Sequence, residues 1–236
     1  MEYEGHRLRH ELKYYIDMNT YHVLRQRLRS VITPDPHMPS EEGYLISSLY
    51  FDDMHHSAAI DKVGGARFRK KFRIRIYERQ DRVIKLECKI KFDEFISKDS
   101  APLSREEYDQ LLNGSYDFLL DRPEPVCREL FCYNRIHRLK PVVVVEYQRE
   151  AFIHPLGNVR ITFDKDIAPS HGSLDMFSPQ CTTSKILPDE LMVLEVKYDD
   201  FLPVHIQALL RGIPCEHCAI SKYVMCRDKK RMVFSR

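Results

Sequence analysis

Arg69, Lys71, Arg73 and Arg75 occupy every second position of one segment, and Phe72, Ile74 and Ile76 fall between them. A strand turns successive side chains to opposite faces, so this period of two describes an extended segment with one cationic face and one apolar face. The pattern repeats in Lys85, Glu87, Lys89 and Lys91 against Leu86, Cys88 and Ile90, and in Arg9, Glu11 and Lys13 against Leu12, Tyr14 and Ile16. For any one strand, an ordinary sheet with a solvated outer face is the simpler reading. Three strands whose charges are mostly of one sign argue otherwise. Like charges opposite one another in a sheet repel, so the face is costly unless an anion compensates it.

Later segments extend the same face. Arg149 follows Tyr147 with strand parity, Arg160 and Asp164 alternate with Ile161 and Phe163, Glu195 and Lys197 alternate with Leu194 and Val196, and Lys222 lies near the C-terminus. The face then holds thirteen bases (Arg9, Lys13, Arg69, Lys71, Arg73, Arg75, Lys85, Lys89, Lys91, Arg149, Arg160, Lys197, Lys222) and four acids (Glu11, Glu87, Asp164, Glu195). The whole chain carries only +2, so the remainder must be net acidic, which fits a focused anion site rather than general stickiness. Closing the sheet into a barrel would turn this face into a polar lumen. There guanidinium and ammonium groups would grip phosphate oxygens, and Glu195 or Glu87 could share Mg²⁺ or Mn²⁺ with them. The alternative for these two glutamates is an ion pair with a neighbouring lysine.

The expected fold is α+β, a single domain over residues 1–236. Extended segments are expected at Arg7–Ile16, Leu45–Asp53, Phe68–Arg79, Arg82–Phe92, Pro141–Ile153, Asn158–Ile167 and Leu191–Tyr198, with a tight hairpin at Gln80-Asp81. Helices are expected after an Asn19/Thr20 cap (Tyr21, Leu24, Leu28 and Ile32 on one face), from a Ser104/Glu107 capping box to Asn113-Gly114, from Pro203 to Gly212, and from Val126 to Arg138. The polar stretch from Pro169 to Pro188 reads as an ordered loop or a lid. The first thirty residues are charged and no apolar run reaches about 18 residues, so neither a secretory signal nor a membrane span is expected. The odd count of 7 cysteines points to reduced thiols in a cytoplasm. Cys215, His217, Cys218 and Cys226 cluster, but no second pair with zinc-ribbon spacing accompanies them.

The motifs together resemble the VTC domain of the triphosphate tunnel metalloenzymes, in its compact bacterial form. They run in order from Arg9-His-Glu11-Leu-Lys13-Tyr14 and Ser48-Leu-Tyr50-Phe51-Asp52 through Arg69-Lys-Lys71-Phe-Arg73-Ile-Arg75-Ile-Tyr77 and Lys85-Leu-Glu87-Cys-Lys89. Tyr147-Gln-Arg149, Val159-Arg160-Ile-Thr-Phe-Asp164, Leu194-Glu195-Val-Lys197-Tyr198 and Ser221-Lys222-Tyr223 complete the set. The resemblance implies an eight-stranded antiparallel β-barrel forming a tunnel, with helices outside. It implies a metal-dependent polyphosphate polymerase that takes the γ-phosphate of ATP or another triphosphate. Lys13, Arg73, Arg75, Lys89, Arg149, Arg160 and Lys222 would act on the phosphates, Tyr50 and the other bases of the face would bind substrate, and Glu195 would hold Mn²⁺ or Mg²⁺. The related cyclase and phosphohydrolase branch opens with Glu-x-Glu-x-Lys; here Arg9-x-Glu11-x-Lys13 keeps Glu11 and loses the first carboxylate, which speaks against cyclase or thiamine-triphosphatase activity.

Hydrolysis of tripolyphosphate in the same tunnel and non-enzymatic binding of polyphosphate or nucleotide are the rival readings, because the same cage serves all three. Nucleic acid is not expected as a partner: the charged face is nearly free of aromatics for base stacking. A membrane-protein partner stays open. His10, His55 and His56 read as surface or turn residues.

Overall fold

The computed structural model describes the backbone of residues 2–3, 6–93, 95–212 and 218–234, and side chains within 8–93, 95–212 and 218–230. Eight long strands are β1 (Arg9–Asp17), β2 (Tyr44–Asp52), β3 (Phe68–Tyr77), β4 (Gln80–Phe92), β5 (Phe95–Leu103), β6 (Lys140–His154), β7 (Val159–His171) and β8 (Leu191–Tyr198). They pair antiparallel in the order β1-β5-β4-β3-β2-β6-β7-β8, and β8 pairs again with β1, so the sheet closes on itself as a ring. This is the expected barrel. The β1–β5 seam is its shortest pairing, registering only Arg9 with Ile96 and His10 with Phe95.

The apolar parity of each strand faces outward, and helices cover it. Leu24 and Leu28 of α1 (Met18–Arg29) and Ile206 of α5 (Val204–Leu210) bury against Phe152, Ile161, Phe163, Leu194 and Val196. On the opposite side, Tyr108 and Leu111 of α3 (Arg105–Leu112) and Val126, Cys127 and Leu130 of α4 (Pro125–His137) pack on Leu49, Phe72, Ile74, Leu86 and Cys88. Each fully buried Leu or Ile there contributes on the order of 2 kcal/mol by leaving water. Two further helices are α2 (Ser57–Val63) and α6 (Lys222–Phe234). No helix among the described residues is long and apolar enough to cross a membrane.

Several expectations need correcting. The β3–β4 hairpin turns at Glu78-Arg79, both with positive φ (52° and 51°), and Tyr77 pairs with Gln80. Tertiary contacts override the local signal: the Glu78 carboxylate accepts from the Leu45 N–H at 2.6 Å, and Arg79 forks onto Glu146 at 2.6 and 3.0 Å. The first helix is capped by Asp17, whose carboxylate accepts the Thr20 N–H at 2.7 Å, and Ile32 lies beyond its end, though still buried. The α4 helix starts on Pro125, and Arg138 closes it in the left-handed region. The Ser104 capping box is present as expected. Between Pro169 and Pro188 the chain is an ordered loop, since Met176 and Cys181 are buried in the core.

The lumen is not polar throughout. At one end Val143, Val145, Val193 and Tyr15 share the inward parity, and α6 covers them with Tyr223 and Cys226. Tyr223 stacks on Tyr50 with ring centroids 5.2 Å apart and donates to Asp52 at 2.5 Å, so the helix is tied to the barrel wall at this end. Cys88, Cys127, Cys132, Cys181, Cys218 and Cys226 are free thiols, and Cys215 and His217 of the cysteine cluster lie outside the described residues. His55 and His56 sit in the turn before α2, but His10 stacks between Tyr198 and Phe95 at 4.6 and 4.8 Å.

Candidate active site in the barrel lumen

Parity fixes what lines the lumen. All thirteen bases assigned to the charged face line one cavity of 1210 Å³, namely Arg9, Lys13, Arg69, Lys71, Arg73, Arg75, Lys85, Lys89, Lys91, Arg149, Arg160, Lys197 and Lys222. Tyr50, Glu11 and Glu195 line it as well. Sequence reasoning missed Lys62, Arg82 and Lys98, and also Asp35, Glu78, Asp99 and Asp199. Lys98 could have been found from the alternation of β5, had the strand been recognised. Lys62 comes from the unrecognised α2, and Asp35 from a loop whose burial no local pattern announces. With all of these included, sixteen Lys and Arg side chains line the cavity against six Asp and Glu.

Carboxylates hold many of the cations in place. On β1 and β8, Glu195 lies opposite Lys13 and Lys197 lies opposite Glu11, so the two carboxylates alternate with the two lysines across the strand pair. Lys13 reaches Glu11 at 3.2 Å and Glu195 at 3.4 Å, Lys197 reaches Glu195 at 2.5 Å, and Lys89 crosses from β4 to Glu11 at 2.6 Å. Burial works to raise the Glu11 carboxyl, but Lys13 and Lys89 outweigh it and hold it well below the usual carboxylate range. At Glu195, Lys197 and Lys13 overcome burial in the same way. Both groups are therefore anions at neutral pH. Two ionised carboxylates facing a cation-lined cavity suit a hard divalent ion, which takes one or two carboxylates and completes its sphere with phosphate oxygens and water. Among the described residues no group of three or more His, Cys, Asp or Glu side chains converges, so the pair would need those further ligands.

A second layer is deeper. Asp164 accepts both arms of Arg149 at 2.6 and 2.8 Å and Lys222 at 2.5 Å, and it has no exposed surface. Arg75 donates to the Tyr147 hydroxyl at 3.1 Å, and Arg73 donates to the Tyr50 hydroxyl at 2.9 Å. Burial acts to raise the Tyr147 phenol, yet Arg149 and Arg75 pull it below its ordinary value. Glu87 does not line the cavity. Its carboxylate is taken by Arg73 at 2.7 Å and Lys98 at 2.8 Å, the ion-pair alternative left open for it by the residues. Arg160 is held at the rim by Asp35 at 2.5 Å and by the Tyr44 hydroxyl at 2.8 Å. Gly43, with φ of 99°, permits a close approach there: a Cβ would stand 2.0 Å from the Arg149 carbonyl oxygen.

The family assignment follows from one comparison. The family description "VTC domain" matches residues 8–229. The chain belongs to the VTC domain family. No curated protein matches this VTC domain. Solved structures similar to it include the PH1819 protein from Pyrococcus horikoshii OT3, at 14% identity and a TM-score of 0.46, covering 94% of this chain and 99% of that one. The Schizosaccharomyces pombe Mediator head module aligns at 8% identity and 0.47, covering 86% and 89%. The Mimivirus capping enzyme triphosphatase aligns at 10% and 0.37, covering 87% and 86%.

The cavity's lysines are not equally protonated. Burial, with Lys13 and Arg69 nearby, pushes the Lys71 ammonium down to about 7, and burial beside Arg69 and Lys91 pushes Lys62 down to about 8. An anion placed between them favours their charged forms, so binding restores protons that are lost as pH rises above about 7. Tripolyphosphate binding at pH 8.5 is therefore expected to take up protons, with affinity falling as pH rises from 7 to 9. Calorimetry in two buffers of different ionisation heat reads the uptake directly. The uptake should shrink in Lys71→Met.

Proposed function

We propose that this VTC domain is a metal-dependent phosphotransferase, which moves the γ-phosphoryl group of a nucleoside triphosphate onto the end of a polyphosphate chain inside the lumen. The observation that supports this most is the sixteen cations lining one cavity around the Glu11–Glu195 pair. The volume matters too. Ligand pockets usually span about 300–1,000 Å³, and 1210 Å³ leaves room for a chain beside a triphosphate.

Phosphoryl transfer depends on positioning and charge neutralisation rather than on covalent catalysis. Arg73 and Arg75, each oriented by a tyrosine hydroxyl, present planar guanidinium groups suited to paired phosphate oxygens. Arg149 and Lys222, fixed on Asp164, face the same space. Lys13 and Lys89 neutralise charge beside Glu11 and Glu195. Those two carboxylates would hold Mn²⁺ or Mg²⁺, which when bound neutralises charge on the phosphate oxygens of the transferring group. Lys13, Lys89 and Lys197 would then exchange carboxylate contacts for phosphate contacts.

The test is product analysis. The protein is incubated with ATP and Mn²⁺, with and without a short phosphate primer, and the products are resolved on a gel stained for polyphosphate. A ladder that shifts with the primer is expected. Orthophosphate without a ladder would replace transfer by hydrolysis in the same cage.

A further inference from the structure

Two histidines that do not line the lumen meet on the outside of the barrel. His154 ends β6 and His205 is the second residue of α5, and their Nε2 atoms stand 3.3 Å apart. The His154 Nδ1 atom lies 3.2 Å from the Leu156 carbonyl oxygen. A carbonyl only accepts, so in the neutral ring Nδ1 carries the proton and Nε2 keeps its lone pair for another partner. The backbone arranges this meeting. Gly157 has φ of 73°, and a Cβ there would stand 2.6 Å from the Phe201 carbonyl oxygen, so glycine lets the turn after β6 settle against the segment leading into α5. The Gly157 carbonyl accepts from the Asp199 N–H at 2.9 Å, and Phe152 and Ile206 bury in one core, which fixes the elements on both sides of the pair.

The spacing fits an ion better than a plain hydrogen bond. At 3.3 Å the nitrogens lie beyond the range of about 2.7–3.2 Å usual for an N–H donor. Two imidazole nitrogens on one tetrahedral ion, each at about 2.0–2.1 Å, would stand about 3.3 Å apart, with ring centroids about 5.2 Å apart. The ring centroids here are 5.0 Å apart, and the planes cross at 60°, so the rings do not stack. We propose that His154 and His205 form a two-histidine site for a divalent transition-metal ion of the Zn²⁺, Ni²⁺ and Cu²⁺ class. Imidazole selects that class, whereas the Glu11–Glu195 pair offers the oxygen ligands that Mg²⁺ takes. Water or a small anion fills the remaining positions, since no third His, Cys, Asp or Glu side chain converges there among the described residues. The ion ties α5 to the end of β6. The turn it braces also reaches the lumen mouth, where the Asn158 carbonyl accepts from Arg9 at 2.5 Å. The site does not depend on the phosphotransferase reading.

Long-range ¹H–¹⁵N correlation of the histidine rings tests this, because it reports on each ring nitrogen separately. Zn²⁺ is titrated into the full chain at neutral pH with excess Mg²⁺ present, and the two rings are assigned from His154→Gln and His205→Gln. The Nε2 resonances of His154 and His205 should move together along one binding curve that Mg²⁺ does not displace. Losing an outer-shell partner of a metal ligand already costs about 10–100-fold in affinity, so losing a ligand should cost at least about tenfold. His205→Gln should therefore raise the Zn²⁺ concentration needed to shift His154 by that factor, and His154→Gln should do the same to His205. If the two Nε2 resonances stay in place at saturating Zn²⁺, or if the His154 response is unchanged in His205→Gln, the site is overturned and the pair is only a contact between two rings.

Discussion

Glu195→Gln is expected to lower metal-dependent turnover of ATP by about 10²–10³-fold, the usual cost of losing one preorganised electrostatic contact to the transferring group. The substitution preserves shape and removes one negative charge from a cavity that already has an excess of cations. Metal-free binding of tripolyphosphate should therefore stay level or tighten, even as turnover collapses. This split matters because Glu195 is paired with Lys13 and Lys197, and a merely structural glutamate would weaken anion binding as it released those lysines. Steady-state kinetics with Mn²⁺ and calorimetry without it provide the two readouts. Turnover within about tenfold of wild type would remove Glu195 from the metal's ligands.

Asp164→Asn should have the largest effect on stability. Asp164 is fully buried and is the carboxylate that both Arg149 and Lys222 require. Removing one member of a buried ion pair typically costs about 3–5 kcal/mol, because the remaining charge is left without compensation. A loss of about 3 kcal/mol is expected in urea denaturation. Saturating tripolyphosphate should return part of it, since a ligand that binds only the folded state stabilises that state and can itself neutralise the two cations. The wild-type protein carries the corresponding pH signature. Burial works to raise the Asp164 carboxyl, but Arg149 and Lys222 hold it below its ordinary value. Its contribution is therefore present at neutral pH and is lost on acidification through the folded-state value. A loss under about 1 kcal/mol for Asp164→Asn would mean that Arg149 and Lys222 do not depend on it.

The lumen was legible in the sequence because strand parity is a strict geometric rule. Once Arg69, Lys71, Arg73 and Arg75 share a face, pairing with Lys85, Lys89 and Lys91 follows from the hairpin, and closure turns the whole set inward. What parity could not reveal is where the face stops being polar. Val143, Val145 and Val193 have the same inward parity as Arg149 and Glu195, and only the packing of α6 explains why they are apolar. The α6 sequence, rich in Lys and Arg, gives little sign that its first turn enters a barrel. Strand β5 was missed because Ser97, Asp99, Ser100 and Pro102 break the apolar alternation; neighbouring strands supply its order. Lys62 was invisible for a related reason, since α2 exposes its apolar residues and so lacks the pattern by which a short helix is recognised. Glu87 shows the limit of composition. It shares parity with the lumen bases, yet Arg73 and Lys98 occupy both its oxygens.

If the cation-lined lumen holds phosphate chains as proposed, the wild-type protein binds tripolyphosphate there. Calorimetric titration of the wild-type protein with tripolyphosphate tests it most directly, at low and moderate salt, with and without Mn²⁺, alongside Arg73→Ala. Saturable one-to-one binding is predicted. It should weaken as salt rises, tighten with Mn²⁺ and fall at least tenfold in Arg73→Ala, in line with the loss of a charge-assisted contact. Absence of binding at low salt, or binding indifferent to both Mn²⁺ and Arg73, would contradict the claim.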